Sequence, residues 1–222
     1  FPTRRSSDLK KIIKNLFILS IVVILPMILV GCNPKVNADE SAKIWFNYLL
    51  KGDTTSVAKI GITEDAAKKL NQKQKVDYKK AVKDAYATGA LKIEDKQLEQ
   101  LYQAYKAALN KVSVTTEVIS KTSELSEVKV KETYITSIDS DSKKTTADSA
   151  KYMDSLDVTN ADKFNTEMGR YIIDGSIKAF TNAKISVATK EKTFKFVIKD
   201  KRWVPEDVSG YSEYILDRKS VV

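Results

Sequence analysis

The chain has 222 residues, 42% hydrophobic and 30% charged, a balance that excludes collagen-like, low-complexity and multi-span membrane classes. Lys and Arg number 38 against 29 Asp and Glu, for a formal net charge of +9, with one Cys and no His. One cysteine excludes an intrachain disulfide framework and any multi-Cys metal site, and the lack of histidine excludes Ser-His-Asp catalysis, Cys-His catalysis and imidazole ligation.

Phe1–Leu9 (FPTRRSSDL) and Asp217–Val222 (DRKSVV) carry no apolar periodicity and resemble translated adapter or cloning remnants. Segments 1–9 and 217–222 are therefore set aside. Residues 10–31 then have the layout of an export signal. Lys10, Lys11 and Lys14 form a positive n-region, and Leu16–Val30 (LFILSIVVILPMILV) is an uncharged h-region. A membrane-spanning helix is the competing reading. Fifteen residues at helical rise reach about 22 Å, short of the roughly 30 Å hydrocarbon core, and Pro26 breaks the helix in its second half.

Leu29-Val30-Gly31-Cys32 resembles the bacterial lipobox and follows directly on that h-region. The resemblance implies signal-peptidase recognition through Leu29, Val30 and Gly31, cleavage after Gly31, and a diacylglyceryl group on the Cys32 thiol. Two acyl chains give the stable anchoring that one chain does not. The segment 32–38 is then a lipidated Cys and a short tether. Six residues between Cys32 and the first helix extend at most about 20 Å, so the folded part stays near the outer face of the cytoplasmic membrane.

The segment 39–216 reads as one α+β domain. Asp39 is the expected N-cap of a helix over 40–50 with Ala42, Trp45, Tyr48 and Leu49 on one face. Gly52 stops it, a short helical segment carries Val57 and Ile60, and Thr63 caps a long helix to Ala87, with Gly89 expected at its C′ position. A helix over 95–110 carries the stripe Leu98, Leu101, Tyr102, Tyr105, Ala108 and Leu109, which makes the pair an antiparallel helical hairpin. Then the period changes to two: Val112, Val114 and Val118, and Val128, Val130, Tyr134 and Ile138, form a β-hairpin about a connector at 121–126. Residues 139–146 read as a polar loop, 147–156 and 162–181 as helices, and 184–204 as a last β region turning at Asp200-Lys201, with Trp203 on the returning strand. Residues 209–216 form a terminal helical turn. The fold class is α+β: N-terminal helices including the long hairpin, packed on a small antiparallel sheet, with a further helix before the last strands. The runs GIT-E-D-A-A-K-K-L, L-E-Q-L-Y-Q-A-Y-K-A-A-L-N-K-V and K-D-K-R-W-V-P-E-D resemble an uncharacterised family of Gram-positive lipoproteins with a domain of unknown function. A looser resemblance is to small α+β modules whose helices pack on a curved antiparallel sheet ending in a Trp strand.

Few constellations point to chemistry. Asp139-Ser-Asp141 opens like a calcium loop, but Lys143 and Lys144 occupy positions that need an oxygen ligand and a glycine. Ser140-x-x-Lys143 matches an acyl-enzyme pattern without its companion motifs. Catalytic residues, a metal site and a non-covalent cofactor are not expected; the covalent diacylglycerol on Cys32 is the only attached group. Only Arg170 and Arg202 lie within 39–216 as arginines, so nucleic acid is not an expected partner. Along the helix 64–87, Lys68, Lys69, Lys75, Lys79 and Lys83 are candidates for contact with anionic lipid or wall polymer, against the simpler reading of a solvated face. Trp45, Tyr48, Tyr102, Tyr105, Tyr171 and Trp203 line either a cleft or the core, and their spacing favours the core. The function expected is a lipid-anchored, non-catalytic binding or envelope-associated module. The alternative is a solute- or polymer-binding lipoprotein that presents a ligand to a membrane system, and a hydrolase is the remoter third.

Overall fold

A computed structural model describes residues 34–87, 89–136, 148–149 and 151–216. The signal segment 10–31, the lipobox residues Leu29, Val30, Gly31 and Cys32, the end segments 1–9 and 217–222, and the loop 139–146 lie outside the described residues. The elements are α1 (Ala38–Lys51), a 3₁₀ turn (Val57–Ile60), α2 (Glu64–Ala87), α3 (Asp95–Asn110), β1 (Val114–Lys121), β2 (Leu125–Ile135), α4 (Ala161–Thr181), β3 (Ile185–Lys199), β4 (Arg202–Pro205) and α5 (Val208–Leu216). Residues 148–149 and 151–154 are also helical. The strands form a four-stranded antiparallel sheet in the order β1-β2-β3-β4, so the class is α+β.

The described residues fall into two compact units. A sheet unit comprises 34–74, Val112–Tyr134 and 186–216; a helical unit comprises Lys75–Lys111 and Ile135–Ile185. Helix α2 contributes residues to both.

In the sheet unit, α1 and α5 lie on one face of the sheet. Strand alternation puts Val114 of β1, Val128 and Val130 of β2, and Phe194 and Phe196 of β3 on that buried face. Against them pack Phe46 and Leu49 from α1 and Tyr211 and Ile215 from α5, all buried. The Tyr211 ring meets Phe194 edge-on at 4.9 Å, and its hydroxyl donates to the Ala42 carbonyl at 2.7 Å. β1 pairs with β2 from Val114↔Glu132 to Lys121↔Ser126, with a register shift between Val118 and Ser120. The first helix starts two residues earlier than its acidic pattern implies: Asn37, not Asp39, holds the N-cap position in extended backbone, and Asp39 and Glu40 occupy the first turn, where the helix dipole favours them. Gly52, at φ 70, closes α1 by donating to the carbonyls of Asn47 and Tyr48.

In the helical unit, Tyr78 and Val82 of α2, Ile93, Leu98, Leu101 and Tyr102 around α3, and Ile173 of α4 form one buried cluster. The Tyr78 ring stacks on Tyr105 at 4.9 Å and meets Tyr102 edge-on at 5.5 Å. The antiparallel hairpin is read directly from its ion pairs, since Lys79 reaches Glu99 while Lys83, one turn on, reaches back to Asp95. Its turn differs from expectation in one respect: Ala90, at φ 59, takes the left-handed conformation assigned to Gly89. Asn160 caps α4 by accepting from the Lys163 amide at 3.0 Å.

Candidate functional site

The lysines expected to form an anionic-surface contact sit on α2, and most face carboxylates of their own chain. In the sheet unit, Lys68 pairs with Glu64 one turn earlier at 2.7 Å, while Lys69 is exposed. In the helical unit, Lys75 and Lys79 converge on Glu99 at 2.7 and 3.1 Å, and Lys83 reaches Asp95 at 3.3 Å. Hydrogen bonding from Lys75, then from Gln103 and Lys79, pulls the Glu99 carboxyl down to about 2. The Lys75 ammonium also lies 5.7 Å from the Tyr102 ring centre. Lys75, Lys79 and Lys83 fasten α2 to α3.

The aromatic stripe divides between the units. Trp45, Tyr48 and Trp203 belong to the sheet unit and are buried; burial pushes the Tyr48 phenol up to about 12. Tyr102 and Tyr105 belong to the helical cluster, and Tyr171, partly exposed, stacks on Tyr152 at 4.2 Å. Core packing accounts for most of the stripe.

A cleft of about 360 Å³ lies beside α1, lined by Glu40, Lys43, Ile44, Asn47, Asp53 and Ser56. Both of its carboxylates serve the local chain. Glu40 pairs with Lys59 at 2.8 Å. Asp53 accepts from the Thr55 amide at 2.9 Å and hydroxyl at 2.7 Å, which holds its carboxyl below the ordinary range. Five of its six lining residues are polar or charged, unlike the predominantly hydrophobic and aromatic lining that small-molecule sites favour.

The sheet unit also contains a constellation that sequence reasoning passed over. Glu132 on β2 and Lys190 on β3 meet at 2.6 Å on the buried face of the sheet. Lys190 donates to the Tyr214 carbonyl at 3.0 Å, and its ammonium lies 4.7 Å from the Tyr214 ring centre. The Tyr214 hydroxyl donates to the carbonyls of Lys190 at 3.1 Å and Val130 at 3.3 Å. Burial, then the charges of Glu132 and Glu191, raises the Tyr214 phenol, and burial with Glu132 raises Tyr211. The signal was available: Glu132 shares strand parity with Val128 and Val130, and Lys190 with Phe194 and Phe196. The ammonium, carboxylate and phenol are coupled to one another and to α5, so the arrangement holds the last helix on the sheet.

Among the described residues no group of three Cys, Asp or Glu side chains is placed to hold a metal ion, and no helix is long and apolar enough to cross a membrane.

The fold is similar to that of ycdA, a candidate lipoprotein from Bacillus subtilis subsp. subtilis str. 168 known from a crystal structure. The TM-score is 0.58 at 16% identity, and the superposition covers 82% of this chain and 55% of that one. This chain therefore spans about half the length of that neighbour. No protein-family model matches the chain, and no curated protein matches it in sequence.

Proposed function

We propose that this chain is a lipid-anchored extracytoplasmic module on the outer face of the cytoplasmic membrane, with a non-catalytic binding or envelope-associated role. The observation that carries the reading is Leu29-Val30-Gly31-Cys32, which places the sole cysteine of the chain directly behind a fifteen-residue uncharged run. The similarity of fold to a candidate lipoprotein supports it. The non-catalytic part of the reading rests on the chain's lack of histidine and on a described cleft whose carboxylates are already bonded to Lys59 and Thr55.

Intact-mass measurement of the chain extracted from membranes tests the anchor. The expected mass is that of a chain beginning at Cys32 and carrying diacylglycerol, with release from the membrane in Cys32→Ala. A bare thiol with Leu16–Val30 still attached would overturn the reading.

A further inference from the structure

The sheet unit has one end at which its cations gather, and it is the end where the tether joins. The β1–β2 and β3–β4 turns close side by side there, since the Ile198 amide donates to the Glu124 carbonyl at 3.2 Å. Lys121 ends β1 with its ammonium 5.6 Å from the Trp203 ring centre, and Lys199 pairs with Arg202 across the β3–β4 turn. Arg202 in turn donates to the Gly61 carbonyl at 3.4 Å, which brings the 3₁₀ turn and its Lys59 to the same end. The start of α1 is fixed there by two contacts: the Ser41 hydroxyl donates to the Trp203 carbonyl at 2.6 Å, and Glu40 pairs with Lys59 at 2.8 Å. Lys35, exposed, lies on the segment that leads into this point.

We infer that this end of the sheet unit is its membrane-facing surface, and that Lys35, Lys121, Lys199 and Lys201 rest against anionic phospholipid head groups. The inference rests on the lipid-anchored reading above and adds an orientation to it. Lys35, Lys59, Lys121, Lys199, Lys201 and Arg202 outnumber Asp39, Glu40, Glu124 and Asp200, and Glu40 is already engaged with Lys59. A cation near an anionic surface contributes roughly fivefold in partition, too little for such a small excess to hold a free domain. A tether of at most about 20 Å changes this, because it keeps the patch at high effective concentration over the lipid. Val187, near the opposite end of the same strand, is twelve residues from Lys199, or about 40 Å along β3. The lysines of α2 are poorer candidates, since Lys68, Lys75, Lys79 and Lys83 already face carboxylates.

The test uses the full lipidated chain reconstituted into vesicles. Acylation blocks Cys32, so a fluorophore attaches only to the new thiol of Ser123→Cys at the β1–β2 turn or of Val187→Cys at the far end; both positions are exposed. Nitroxide-labelled head groups in phosphatidylglycerol vesicles should quench the label at 123 at least twofold more than the label at 187. The difference should shrink in phosphatidylcholine, at high salt, and in Lys121→Glu/Lys199→Glu, with the protein still anchored and its circular dichroism unchanged. Equal quenching at the two positions, or stronger quenching at 187, in a chain whose mass confirms the lipid would overturn the orientation alone. A chain recovered with Cys32 unmodified would overturn the orientation and the anchored reading together.

Discussion

Lys190 brings its ammonium to 2.6 Å from the Glu132 carboxylate, with the two side chains only 10% and 2% exposed. Desolvating both charges is expensive, and the attraction between them offsets that cost only while both are present. Lys190→Met alone should therefore destabilise the fold by about 3–5 kcal/mol. The double variant Glu132→Leu/Lys190→Met should lie much nearer the parent. Denaturant midpoints of the parent, both singles and the double close the cycle; a double variant as unstable as Lys190→Met would contradict this account.

Gly169 allows α4 to pass the Lys92 carbonyl. A β-carbon there would sit 2.2 Å from that oxygen and 3.1 Å from its carbon, and both atoms are backbone. Alanine in a helix interior ordinarily stabilises relative to glycine, but here the segment carrying Lys92 must move. Gly169→Ala should cost about 1–3 kcal/mol, visible as a lowered melting temperature.

The β3–β4 turn places Asp200 at φ 50 and Lys201 at φ 61, two positive values in a two-residue connection. Such turns favour glycine at the second position because a side chain crowds the backbone there. Lys201→Gly should raise stability by about 0.5–1 kcal/mol in thermal unfolding. A fall instead would mean that the lysine's own contacts outweigh the backbone strain.

Glu99 titrates lower in the fold than its ordinary value of 4.5, at about 2, chiefly through hydrogen bonding from Lys75. A depressed carboxyl contributes stability above its unfolded value and loses it as pH falls toward the folded one. The parent should thus lose stability more steeply than Glu99→Gln between about pH 4.5 and 2. With the side chain 37% exposed, screening should keep the difference below about 1 kcal/mol. Parallel urea titrations at several pH values measure it.

Most of the secondary structure was legible because the hydrophobic spacing is local information. Leu98, Leu101, Tyr102, Ala108 and Leu109 repeat at the helical period, and the span Asp95–Asn110 follows from them. Thr63 marked the start of α2 correctly, its hydroxyl oxygen accepting from the Ala66 amide at 3.2 Å. Ala90 and Asn37 were not legible in this way. Left-handed backbone at an alanine, and a cap position without a side-chain bond, arise from neighbouring packing and not from residue preference. The lysines of α2 show the same limit. Their spacing along the helix announced a charged face, but only the placement of α3 turned Lys75 and Lys79 onto Glu99.

What the order of residues determined by itself was the set of helices and strands, the α+β class, and the expectation of an acylated Cys32, since each depends on patterns a few residues long. Tertiary structure decided which charges became structural. Glu132 and Lys190 lie 58 positions apart; strand parity places each on the buried face, but no local spacing reveals that strand pairing will put them side by side. Strand pairing and helix packing bring distant polar groups into a low-dielectric interior, where partner and geometry, not residue type, set their energy.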